Sequence, residues 1–87
     1  MNKAWTDEAW EEYQYIQETD KKLLKRVHQL LKDIDRNGYD GIGKPERLSG
    51  DLSKYWSRRI DDGNRLVYRI DDNTIIIYQC GSHYHEK

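Results

Sequence analysis

The residues of this 87-residue chain best suited to chemistry fall in its second half. Arg59 and Arg65 flank the turn-forming run Asp61-Asp62-Gly63, so a hairpin there brings two guanidinium groups together. Like charges directly opposite one another are unfavourable. A site for a polyanion such as a phosphate backbone is one reason to hold them so, and pairing with Asp61, Glu46 or another acid is the other. Glu46 follows Pro45 in a Gly-rich stretch. A carboxylate in such a loop is usually only solvated, but it can act as a general base if its pKa suits the working pH. Near the end, Cys80, His83 and His85 are three possible metal ligands. With no other cysteine in the chain they make a weak zinc pattern, and Cys80 reads instead as a core residue beside Ile76 and Tyr78. An imidazole such as His83 can hold or yield a proton near neutrality, although histidines in C-terminal tails often do nothing.

Positioning these groups requires a scaffold, and the hydrophobic period describes one. Residues 2–5 suit a short strand. Thr6 is placed to cap a helix whose first turn carries Asp7 and Glu8, where the helix dipole favours acids. Trp10, Tyr13 and Ile16 continue it to about Glu18, with Trp10 and Tyr13 expected to be packing residues. Thr19 or Asp20 caps a second helix with the apolar stripe Leu23, Leu24, Val27, Leu30, Leu31 and Ile34. Asn37-Gly38 ends it, because glycine tolerates the left-handed conformation common at helix ends. Residues 39–53 form a loop with a brief strand near Arg47-Leu48. Three strand-like runs follow, at 54–60, 64–70 and 74–80, joined by Asp61-Asp62-Gly63 and Asp71-Asp72-Asn73. Connections this short imply an antiparallel meander. The fold class is therefore α+β, two N-terminal helices packed on one face of a small antiparallel sheet, and residues 1–87 form a single domain.

The register of the first hairpin decides where the arginines stand. A two-residue Asp62-Gly63 turn mixes Trp56 and Ile60 with Arg65 and Arg69 on one face. A three-residue loop with Gly63 left-handed pairs Arg59 with Arg65 and Ser57 with Val67. Trp56, Ile60, Leu66, Tyr68 and Ile70 then share the core face, while Tyr55, Ser57, Arg59, Arg65 and Arg69 share an uncovered one. A one-residue slip exchanges the faces, so the apolar pattern selects the second register. Its one awkward member is Arg58, on the core side.

Composition narrows the class. Three Trp, seven Tyr and no Phe mean that rings with polar tips must carry much of the core. A single cysteine excludes an internal disulfide framework and fits a reducing compartment. No basic stretch leads into an apolar run, and no apolar run approaches the roughly 18–20 residues of a membrane span, so a soluble cytoplasmic protein is expected. The net charge of −1 is unevenly spread. Residues 1–20 carry one Lys against six acids, residues 21–59 eleven Lys and Arg against five acids, and residues 60–87 three against five. A basic middle can meet phosphates, although ordinary solvated helix faces would look the same.

Five segments together carry a family resemblance: Trp5-Thr6-Asp7-Glu8-Ala9-Trp10, Gln17-Glu18-Thr19-Asp20-Lys21, Gly43-Lys44-Pro45-Glu46, Trp56-Ser57-Arg58-Arg59-Ile60 and Arg65-Leu66-Val67-Tyr68. With Cys80 and His83-Tyr84 behind them, they resemble YoeB toxins of the RelE/ParE superfamily in order and spacing, over essentially the whole chain. The resemblance implies a RelE-like fold and the toxin of a type II toxin–antitoxin pair. It implies a ribosome-dependent endoribonuclease acting on mRNA in the A site of the 70S ribosome, without metal or other cofactor. A YefM-like antitoxin would neutralise it, a homodimer would form, and operator DNA would be bound only through the antitoxin complex. By the same resemblance Glu46 is the general base, Arg65 the phosphate clamp, His83 the general acid and Tyr84 the residue that positions or stacks on the substrate. Lys44 and Arg59 would hold the RNA backbone.

The chain departs from the family pattern in places. Ser49 stands where a basic residue is common, Gly81-Ser82 replaces a bulkier basic pair, and His85-Glu86-Lys87 follow the His-Tyr pair on which family chains often end. His85 is an alternative acid. Two rival classes stand beside the nuclease: an inactive toxin-like module that grips an antitoxin, and a DNA-binding regulator. The second is disfavoured because the wide apolar stripe commits the second helix to the core.

Overall fold

The computed structural model describes residues 1–81. The first strand, β1 (Asn2–Trp5), leads into helix α1 (Asp7–Thr19), and α2 (Lys21–Asn37) follows after one residue. Four further strands come after the helices: β2 (Glu46–Arg47), β3 (Trp56–Asp61), β4 (Asn64–Asp71) and β5 (Thr74–Gly81), with a 3₁₀ turn at Gly50–Leu52. They form one sheet in the order β1-β5-β4-β3-β2. The pairs β2–β3, β3–β4 and β4–β5 are antiparallel, as the short connections require. β1 pairs with β5 in parallel, because the two helices between β1 and the rest of the sheet carry the chain back across one face.

Local chemistry sets the helix ends. The Thr6 hydroxyl accepts from the Ala9 amide at 3.1 Å, and the Asp20 carboxylate accepts from the Leu23 amide at 3.0 Å. Gly38 closes α2 with φ of 66°, as expected for a residue without a β-carbon. The stripe of α2 delivers Val27, Leu30, Leu31 and Ile34 to the core, where they meet Ile60, Leu66, Tyr68, Ile75 and Ile77 from the sheet. α2 is thus spent on packing, as the case against a DNA-reading helix requires. α1 contributes Ala9 and Ile16, with Tyr13 partly buried. Trp10 differs from expectation, being 44% exposed. It lies at the border of the Ala9–Tyr13–Ile16 stripe, where its ring meets Trp5 edge-on and stacks on Tyr13, with centroids 5.6 Å away in each case.

The register of β3 and β4 is the expected one, with Arg59 opposite Arg65 and Ser57 opposite Val67. It is reached differently. Asp61 pairs with Asn64 around a two-residue turn, and the register shifts between Arg59 and Asp61 absorb the extra residue at Ile60. Gly63 is not left-handed. The Asp61 carboxylate builds the turn instead, accepting from the Gly63 amide at 3.0 Å and the Asn64 side chain at 2.8 Å. A second bulge, in β5, changes the surroundings of Cys80. Gln79 opposes Val67 and Ile77 opposes Tyr68, leaving Tyr78 unpaired. Cys80 does face the core, but beside Ile75 and Ile77 rather than Ile76 and Tyr78, because the extra residue reverses the alternation.

Arg58 is fully buried and uses all five donors. Its Nε donates to the Tyr68 hydroxyl at 3.0 Å. Nη1 donates to Asp33 and to the Ile42 carbonyl, and Nη2 to the carbonyls of Gly38 and Asp40. A side chain with the wrong polarity for its face is thus the anchor of the loop that leaves α2. Tyr39 stacks on Trp56 and Tyr68 beside it, with ring centroids 4.8 and 5.8 Å away, so rings do carry this end of the core.

Candidate functional site

The sheet has one face under the helices and one turned away from them. Alternation places Glu46, Ser57, Val67 and Gln79 in one row across the second face, each opposite the next. The neighbouring row holds Arg59, Arg65 and Gly81. Ser57, Val67 and Gln79 are buried, so the face has a dry floor, and Glu46 and Arg59 project from it exposed with Arg65 partly exposed.

The arginine pair is not neutralised by a carboxylate among the described residues. Arg65 Nη1 donates only to the backbone carbonyls of Asp61, Asn64 and Asp62, at 2.9, 3.2 and 3.3 Å. Asp61, the acid nearest Arg59 in sequence, spends its Oδ1 on the turn. Ion pairs among the described residues join Arg58 to Asp33, Arg69 to Asp71, and Lys3 and the Met1 ammonium to Asp35, and none involves Arg59, Arg65, Lys44 or Glu46. Two facing guanidinium groups without an acid favour an anion as the missing partner.

The loop that carries Lys44 and Glu46 is held from beneath. Arg58 fixes the carbonyls of Gly38, Asp40 and Ile42, and the Arg59 amide donates to the Gly43 carbonyl at 2.7 Å. Gly43 has φ of 81°, and a β-carbon on it would lie 2.9 Å from Leu30 Cδ2 and 3.2 Å from the Arg59 carbonyl oxygen. Lys44 has φ of 50°, a conformation uncommon outside glycine, and is exposed. The backbone at this corner is therefore dictated by close packing of the loop on β3. The family resemblance points to Glu46, Lys44, Arg59 and Arg65; the fold brings Glu46, Arg59 and Arg65 to one face of the sheet, and Lys44 stands exposed in the loop two residues before β2 starts. His83, Tyr84 and His85 lie outside the described residues. Of the zinc pattern only Cys80 remains to consider. It is buried in the core, where burial pushes its thiol up to about 12.

A cavity of about 690 Å³ lies elsewhere. It is lined by Glu8, Glu11, Glu12 and Asp20 with Ile16 and Leu23, and by the last described residues of β5. Its acids would repel a phosphate, so its size does not make it the site for a polyanion. At its rim the Glu12 carboxylate accepts from the Cys80 amide at 2.7 Å, supporting the edge of β5 beyond the end of its pairing with β1.

The model of the YoeB-like toxin of bacterial type II toxin–antitoxin systems matches residues 5–84. The chain belongs to the YoeB-like toxin family. It is 51% identical to the toxin YoeB of Synechocystis, over 97% of this chain and 98% of that one. Among solved structures, the YoeB–YefM complex from Staphylococcus aureus contains a chain that aligns with a TM-score of 0.92 at 49% identity, covering 97% of this chain and 98% of the other. The YoeB dimer from the same organism aligns with a TM-score of 0.90 at 50% identity over the same shares. Membership of the YoeB-like family makes the chain the toxin of a type II toxin–antitoxin system. The α+β fold read from the residues is the fold of these relatives.

Two features of the site escaped the sequence reading. The Arg58–Asp33 link was signalled only by an arginine of core parity. Tyr55 is on the outer face as expected, and a bulge, which has no reliable mark in a single sequence, turns Tyr78 to that face as well, with ring centroids 5.1 Å apart.

Proposed function

We propose that this toxin is a ribosome-dependent mRNA endoribonuclease working by metal-independent acid–base chemistry. The observation that carries the reading is the shared face of Glu46, Arg59 and Arg65, with an arginine pair that no described carboxylate satisfies. In this reaction Glu46 takes the proton of a 2′-hydroxyl, and the 2′-oxygen attacks the adjacent phosphorus. Arg65 stabilises the charge that accumulates on the phosphoryl oxygens, and its orientation by three backbone carbonyls suits a fixed donor. The bond from phosphorus to the 5′-oxygen breaks, and His83 gives that oxygen a proton. The products are a 2′,3′-cyclic phosphate and a 5′-hydroxyl. Tyr84 stacks on the substrate at the cut, and Lys44 and Arg59 hold the backbone.

The partners follow from the same reading. The solved complexes of Staphylococcus aureus YoeB with YefM, and its dimer, support a YefM-like antitoxin and a homodimer for this chain. The 70S ribosome with mRNA in its A site is the working partner, the setting is the cytoplasm, and operator DNA is contacted only through the antitoxin complex. Residues 1–87 act as one toxin domain. Among the described residues no helix is long and apolar enough to cross a membrane.

Mapping 5′ ends on a message translated by purified ribosomes tests the reading. Wild-type protein should give site-specific cuts that need ribosomes, and Glu46→Ala or His83→Ala should reduce them about 10²–10⁴-fold each. Cuts that persist in His83→Ala would transfer the acid role to His85. No cuts from folded wild type would leave an antitoxin-binding module.

A further inference from the structure

The outer face of the sheet continues past Glu46, away from the arginine pair. Tyr55 precedes β3, and alternation turns it to the side of Ser57 and Arg59. The β5 bulge puts Tyr78 and Gln79 consecutively on this same face, adding a ring without taking a place from the buried row. The rings of Tyr55 and Tyr78 reach across β4 to within 5.1 Å between centroids, tilted by 45°. Arg69, on β4 beneath them, brings its guanidinium carbon to 5.8 Å from the Tyr55 centroid. Both rings are half-buried, and Arg69 is held by Asp71 at 3.0 Å through a surface pair whose side chains are 29% and 60% exposed. A pair so exposed is a weak competitor for the arginine.

We propose that Tyr55 and Tyr78, with Arg69 against them, form a base-stacking subsite for single-stranded RNA, taking an unpaired nucleotide that flanks the bond to be cut. The inference rests on the nuclease reading above. Its support is continuity and chemistry. Along β3 the order is Tyr55, Ser57 beside Glu46, then Arg59, a run of four residues or about 13 Å. An RNA strand laid along it would meet rings at one end and paired arginines at the other, with the carboxylate between. Rings backed by a cation suit the π-face of any base, and guanidinium groups without carboxylates suit phosphate. An acidic protein segment would use the arginines but would have no need of the ring pair.

The test uses full-length toxin and a single-stranded RNA oligonucleotide made uncleavable by 2′-O-methylation, with binding followed by fluorescence anisotropy. Tyr55→Leu and Tyr78→Leu should each weaken binding about fivefold or more, and Tyr55→Phe should keep the wild-type affinity. In ribosome assays the leucine variants should cut with a raised KM, a nearly unchanged kcat and an altered preference for the flanking base. Leucine variants that melt like wild type, yet bind the oligonucleotide with unchanged affinity, overturn the subsite, and so does wild type that binds no oligonucleotide. If wild type binds the oligonucleotide and loses it in the leucine variants but cuts no message, the subsite stands and the nuclease reading fails.

Discussion

Arg58 stands where the apolar pattern calls for a hydrophobic side chain, and the five hydrogen bonds it donates explain why an arginine is there. Three of its acceptors are backbone carbonyls of the 38–42 segment; only that of Gly38 has a second side-chain donor, the Tyr68 hydroxyl at 3.3 Å. Replacing it with Leu would leave those groups buried or force the loop to open. Arg58→Leu should therefore cost on the order of 3 kcal/mol, read as a lower urea midpoint. Lys would restore the charge but not the fork, and should recover only part of the loss. Cys80 gives a second prediction. Its thiol is buried and pushed up to about 12 by desolvation first and by the charge of Glu12 second. The folded protein should resist thiol reagents at mildly alkaline pH, and labelling should appear only as urea unfolds it. Labelling at the rate of a free thiol would contradict the burial. The core side of both residues is legible in the strand alternation, but the partners that make a buried arginine tolerable are not.

The loop between α2 and β2 is the element that turns packing into geometry. It passes over Leu30 and β3 so closely that Gly43 has no room for a β-carbon. Gly43→Ala should push the backbone away from Leu30 and Arg59, carrying Lys44 and Glu46 with it. The strained φ of 81° adds to the cost. We expect ribosome-dependent cleavage to fall by more than the loss of folded protein explains, measured as kcat at a temperature where circular dichroism shows the variant folded. Gly50 is the control: its φ is 66°, but nothing lies within 4 Å of a β-carbon there. Gly50→Ala should affect stability modestly and cleavage little. The caps, helix lengths and strand positions of this chain are readable because they depend on neighbours in sequence. The position of the loop depends on Arg58, whose partners in α2 and the loop lie between 16 and 25 residues away. Glu46 and Lys44 were found by resemblance to a family, and the residues around them carried no independent signal.

Across the molecule, Asp33 and Arg58 tie α2, the loop and the sheet together. The Arg58 hydrogen bond is the main cause holding the Asp33 carboxyl below its ordinary range, with burial opposing it and bonds from Ile42 and Asn37 assisting. A folded-state value below the unfolded one contributes stability that is fully present above the unfolded value, about 3.9, and is lost as pH falls through the folded value. Asp33→Asn should therefore be less stable than wild type near neutrality, and the gap should close below about pH 4. Urea melts across that range check it, and a gap independent of pH would reject the link. Asp35, lowered by the Met1 ammonium and Lys3, has the same sign and should leave a residual acid slope in the variant.

Period and capping by themselves determined two helices, the antiparallel strands and even the Arg59–Arg65 pairing. These follow from local steric rules and from the need to bury one face of each element. The tertiary structure decided the parallel seat of β1, the bulges at Ile60 and Tyr78, the aromatic corner of Tyr55 and the task of Arg58. Each depends on contacts between residues distant in sequence. A bulge costs little locally and is selected by the packing it permits, so a single sequence does not announce it. A buried arginine is tolerated only where a particular set of carbonyls converges on it, and that convergence exists only after the chain has closed around it.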